Sequence, residues 1–92
     1  MSLEELPGGE IVVRGLEDLG KGTESPEALL VAMAATRLRE LGISLPGALP
    51  SSPEAKLYRF LAAQHGTGAH SKYNAWRRRL LSFLRTARCE RR

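Results

Sequence analysis

From Ala69 onward the apolar residues recur with helical spacing. Ala69, Tyr73, Trp76, Leu80, Phe83, Leu84 and Ala87 are separated by steps of four, three, four, three, one and three. That spacing gathers all seven on one side of a helix of 3.6 residues per turn and predicts a helix over residues 69–88. Lys72, Arg77, Arg78, Arg79, Arg85 and Arg88 occupy the remaining faces, and no acidic residue interrupts them before Glu90. One face reads as core and the others as a dense positive surface. The stripe makes this helix the expected spine of the fold, with Trp76 and Leu80 near the centre of the core.

A second helix is predicted over 26–41. Leu30, Ala34, Leu38 and Leu41 form an i, i+4, i+8, i+11 stripe, widened by Val31 and Met33. Ser25 is placed to cap, Pro26 fits the first helical position, and Glu27 stands where the helix dipole favours an anion. Gly42 supplies a left-handed stop, after which Ile43 can pack back on Leu38 in a Schellman arrangement. A third helix is predicted over 53–65, with Leu57, Phe60, Leu61 and Gln64 on its buried side. Its lead-in, Ser52-Pro53-Glu54-Ala55, repeats Ser25-Pro26-Glu27-Ala28, which reads as one capping solution used twice and not as an internal repeat. The Gly66-Thr67-Gly68 turn is short enough to bring the third helix and the basic helix into contact.

The N-terminal third is patterned less clearly. Val12, Leu16 and Leu19 fall at i, i+4 and i+7, opposite Glu10, Arg14, Glu17 and Asp18, which predicts a helix near 10–20. Gly15 weakens it, and Ile11-Val12-Val13 leaves a brief strand as the alternative. Residues 1–9, with Pro7-Gly8-Gly9, read as a flexible lead-in. Residues 43–51 read as an ordered connector punctuated by Pro46, Gly47 and Pro50, with Ile43, Leu45 and Leu49 over the core. These elements describe a single all-α domain over residues 1–92, a compact bundle of three to four helices with a long basic C-terminal helix.

Composition adds an electrostatic asymmetry. The net charge of +4 divides into six basic and nine acidic groups in residues 1–66, and eight basic groups and one acidic in residues 67–92. Either the basic helix meets an acidic partner, or acidic neighbours such as Glu17, Asp18 and Glu24 neutralise it from within. No apolar run approaches the length of a bilayer span. The acidic start, Met1 to Glu10, lacks the positive-then-apolar order of a secretory signal. The lone Cys89 forms no internal disulfide, in keeping with a reducing compartment. A cytoplasmic protein without membrane association is the expectation.

Candidate chemistry is sparse. His65 and His70 lie five residues apart across a glycine turn and Cys89 is far from both, so the tight paired spacings of a zinc site are missing. Cys89 has arginines around it but no histidine near it in sequence to serve as a base. Neither a GxSxG nor a GxxxxGK motif occurs. No catalytic, cofactor-binding or metal-binding residues are expected, and the chain is not read as an enzyme.

The arginines remain. On a helical wheel Asn74, Arg78, Leu81, Arg85 and Arg92 share one flank, while Arg79 projects from the other. Asn74, Arg78, Arg79, Arg85 and Arg88 are the candidate contact residues for a partner or for nucleic acid. A row of arginines can track phosphates, yet the aromatics that would stack on bases belong to the apolar stripe. Leu61-Ala62 followed by Gly66 matches the alanine and glycine spacing of a helix-turn-helix. Thr67 and Lys72 then stand where that motif needs apolar residues, and the following helix is about twice a usual recognition helix. The expectation is a small non-catalytic interaction or regulatory protein, of the accessory or antitoxin-like kind found in bacterial operons. It would present its basic helix to an acidic protein partner or to a second copy in a homodimer. The alternative is a nucleic-acid-binding domain contacting phosphates through the C-terminal arginines.

Overall fold

The computed structural model describes residues 3–47 and 49–90. Among them the chain forms helices and no strand: α1 (Gly9–Gly20), α2 (Pro26–Met33), α3 (Ala35–Glu40), α4 (Pro53–His65) and α5 (Ala69–Glu90), with single 3-10 turns at Leu3–Glu5 and Gly66–Gly68. The four helical stretches expected from periodicity are therefore present, the second of them divided. Ile11-Val12-Val13 is helical and not a strand.

The division falls at Ala34, whose amide bonds to the Val31 carbonyl at 3.0 Å in a tightened turn. No glycine or proline lies there, so the break is a tertiary effect and not a propensity effect. On one side of it Ala28, Leu29, Leu30, Val31 and Ala32 are all buried; on the other only Ala35 and Leu38 are buried within α3. A helix that is apolar all round must be surrounded, and α2 packs against α1, α4 and α5. The hub of the fold is thus α2. The long helix α5, expected as the spine, lies along one side and touches α4, α2 and α1 through its apolar stripe.

Both ends of the α2–α3 stretch form as expected. The Ser25 hydroxyl accepts the Ala28 amide at 3.1 Å and donates to the Asp18 carboxylate. Gly42 has φ 84°, its amide bonds to Arg39 O at 2.9 Å, and the Ile43 amide reaches Leu38 O at 2.9 Å, which is the Schellman pattern. The supposed second cap differs. Ser52 sits at φ 47° with no side-chain hydrogen bond to the start of α4, because the connector enters that helix through a left-handed residue.

Gly15 has a packing role that periodicity does not reveal. A Cβ there would stand 2.4 Å from Val31 Cγ2 and 2.5 Å from the Glu27 carbonyl oxygen. The absent side chain is what lets α1 and α2 approach so closely. Ahead of α1, Leu3–Glu5 turn against Gly9, and Leu3 and Leu6 pack on the core; Met1 and Ser2 lie outside the described residues.

Several core assignments move. Phe83 is fully buried at the centre, with Leu80, Leu84 and Ala87 buried beside it, whereas Trp76 is half-buried at the margin. Helix α4 buries Leu57 and Leu61 but leaves Phe60 and Gln64 exposed, because its buried face is narrower than its apolar one. Ile43 and Leu45 pack on the core as expected, and Leu49 is exposed instead. The radius of gyration, 12.8 Å, is close to the roughly 12 Å expected of a compact chain of this length.

Candidate functional site

Along α5 a second stripe runs beside the buried one. His70, Asn74, Leu81, Arg85 and Arg88 share this flank, together with Arg77 at its edge; over residues 70–88 the helix rises about 27 Å. Asn74 Nδ2 lies 3.2 Å from His70 Nε2, one turn earlier. The Arg77 guanidinium carbon stands 5.9 Å from the centre of the Tyr73 ring, and Tyr73 meets Tyr58 of α4 edge-on, with ring centres 5.6 Å apart. These contacts order the N-terminal half of the flank.

Its C-terminal half faces α3 across an open groove of about 770 Å³. Arg37, Glu40 and Leu41 form one wall, and Leu81, Leu84, Arg85 and Arg88 form the other. Leu84 is buried, Leu41 half-buried and Leu81 42% exposed, so an apolar surface grades from core to solvent inside the groove. Among the described lining residues, Arg37, Arg85 and Arg88 are exposed around it and Glu40 is the single carboxylate. Arg37 on α3 stands one turn before Leu41, the residue that caps that helix, as Leu81 stands one turn before Arg85 on α5. That i, i+4 pairing of arginine with leucine on both walls is the common signature of the groove.

The five candidate contact residues do not form one patch. Arg85 and Arg88 enter the groove. Asn74 lies further up the same flank, engaged with His70. Arg78 is exposed on the same flank, two turns before Arg85, and does not line the groove. Arg79 lies on the opposite flank, where its carbonyl oxygen would be 2.5 Å from a Cβ at Gly8. Arg92 is outside the described residues. Arg37, Glu40 and Leu41 were not legible as site residues, since nothing in the periodicity of either helix says that the end of α3 and the C-terminal half of α5 border one groove.

The acidic half of the chain pairs elsewhere. Glu24 Oε1 is 3.2 Å from Lys56 Nζ, Glu27 Oε2 is 3.3 Å from Arg14 Nε, and Asp18 accepts from Ser25. Asp18 and Glu24, two of the three carboxylates considered as internal neutralisers of α5, are thus engaged with residues outside it. A smaller cleft along α1, lined by Glu4, Glu10, Val13, Arg14, Glu17, Asp18 and Lys21, mixes both signs of charge. Among the described residues no group of histidine, cysteine, aspartate or glutamate side chains is assembled to hold a metal ion, and no helix is long and apolar enough to cross a membrane. No protein-family model, curated protein or solved structure matches the chain.

Proposed function

We propose that the chain is a small non-catalytic interaction or regulatory protein, accessory or antitoxin-like, that receives an acidic protein partner on the basic flank of α5. The observation that carries this reading is the α3–α5 groove, where arginines from two helices surround exposed leucine. Guanidinium groups pair with carboxylates through two parallel hydrogen bonds. An apolar surface rimmed by such groups is the usual form of a protein contact. A second copy of the chain, whose α1 carries Glu10 and Glu17, is one such partner and would give a homodimer. A cytoplasmic location belongs to the same reading, because the free, exposed Cys89 suits a reducing compartment.

Nucleic-acid binding is the second reading, and the Tyr58–Tyr73–Arg77 cluster favours it. Tyr58 is exposed, and Tyr73 is half-buried although it belongs to the apolar stripe, so both rings present an edge or face that a base could stack on. Fluorescence anisotropy separates the two readings. A labelled acidic peptide and a mixed-sequence DNA duplex are each titrated with the protein at low and at physiological salt. The peptide is expected to stay bound at both, and any binding to the duplex to vanish as salt rises. Tight, salt-resistant binding of the duplex with none of the peptide reverses the order.

A further inference from the structure

We infer that the groove between α3 and α5 receives an acidic amphipathic helix, which seats apolar side chains on Leu41 and Leu81 and sets carboxylates against Arg37 on one wall and Arg85 and Arg88 on the other. The inference rests on the acidic-partner reading and adds the conformation and the anchor of what is bound.

Charge selects the sign of the occupant. Among the described lining residues, Arg37, Arg85 and Arg88 outnumber the one carboxylate, Glu40. The apolar lining selects a partner with apolar side chains as well. Phosphates of a duplex would meet Arg85 and Arg88 but would leave Leu81 and Leu41 unmatched and would face Glu40. The walls select a helix. Both are α-helices whose backbone groups are already bonded within them, so an extended peptide finds no strand edge to pair with. A helix needs none, and it lies naturally in the depression between two others, about 8–10 Å from each axis. Leu81, Arg85 and Arg88 repeat at i, i+4 and i+7, a period of one turn per step. A helical partner repeats its own leucines and carboxylates with that period and meets them in register.

The test titrates the 15N-labelled protein with two synthetic peptides of identical composition. In one, leucines fall at i, i+4 and i+7 with glutamates on both flanks; in the other, the leucines are scattered around the helix. The first is expected to shift the amides of residues 37–41 and 81–88, and the scattered peptide to bind about tenfold more weakly. Leu81→Glu should cost the first peptide about tenfold in affinity, and the variant should still unfold cooperatively because Leu81, at 42% exposure, lies outside the buried core. Equal affinity for both peptides overturns the helical anchor while leaving the acidic-partner reading in place. Shifts confined to the neighbourhood of Arg77 and Arg78 overturn the groove as the site. Binding of neither peptide overturns both readings. A free protein that is already a dimer, and that Leu81→Glu makes monomeric, shows a second copy in the groove and also overturns the inference.

Discussion

At Gly15 two effects of opposite sign compete, and their magnitudes decide the outcome. An alanine inside an isolated helix is favoured over glycine by about 1 kcal/mol. Here the added Cβ would meet Val31 Cγ2 at 2.4 Å and the Glu27 carbonyl oxygen at 2.5 Å. The second contact is to backbone, which cannot rotate away. Overpacking of this kind costs about 1–3 kcal/mol, so Gly15→Ala should lower the urea midpoint; a raised midpoint would mean that α1 and α2 stand further apart. Phe83 and Trp76 make a similar contrast. Phe83 is fully buried, and its replacement by alanine should cost about 3–5 kcal/mol. Trp76→Ala should cost distinctly less despite the larger side chain, which equilibrium denaturation of the two variants will show. The apolar stripe identified both residues as core-facing. It did not rank them, because depth depends on what the rest of the fold places opposite each residue, which a stripe within one helix does not specify.

Among the elements, the two Ser-Pro-Glu-Ala stretches show how far a local signal reaches. At Ser25 the hydroxyl accepts the Ala28 amide and donates to Asp18, and Ser25→Ala should destabilise by about 1 kcal/mol through loss of the cap. At Ser52 the same four residues begin a helix without a side-chain cap, at φ 47°. Glycine relieves a positive φ, so Ser52→Gly should be neutral or stabilising by up to about 1 kcal/mol, a difference in thermal midpoint that sets the two sites apart. Starts, stops and periodicity placed the helices because those signals are local: proline at the first turn, Gly42 at the left-handed end, leucines one turn apart. The prominence of α2 was not legible in the same way. Its Ala28-Leu29-Leu30-Val31-Ala32 run has no polar face to set a direction, and a run without a direction contributes little to a periodic stripe while marking the most enclosed helix of the fold. The break at Ala34 has no local cause and could not be read at all.

For the molecule as a whole, the charge asymmetry becomes meaningful only once the helices are assembled. Arg37 and Leu41 are some forty residues from Leu81 and Arg88 in the chain, and no pattern within α3 or α5 predicts that they face each other. Reading α5 alone therefore yielded Arg78 and Arg79 along with Arg85 and Arg88, although only the last two enter the groove. On the proposed reading this one flank of α5, and not its overall positive charge, receives the acidic partner. Two double variants with the same change in net charge test it directly. Arg85→Glu/Arg88→Glu reverses the groove flank, and Lys72→Glu/Arg79→Glu reverses the opposite one; all four side chains are exposed. Isothermal titration with the leucine-bearing acidic peptide should show affinity lost in the first variant and largely kept in the second. Equal loss in both would overturn the groove as the site, since it would mean that the peptide follows net charge and that the groove has no part in holding it.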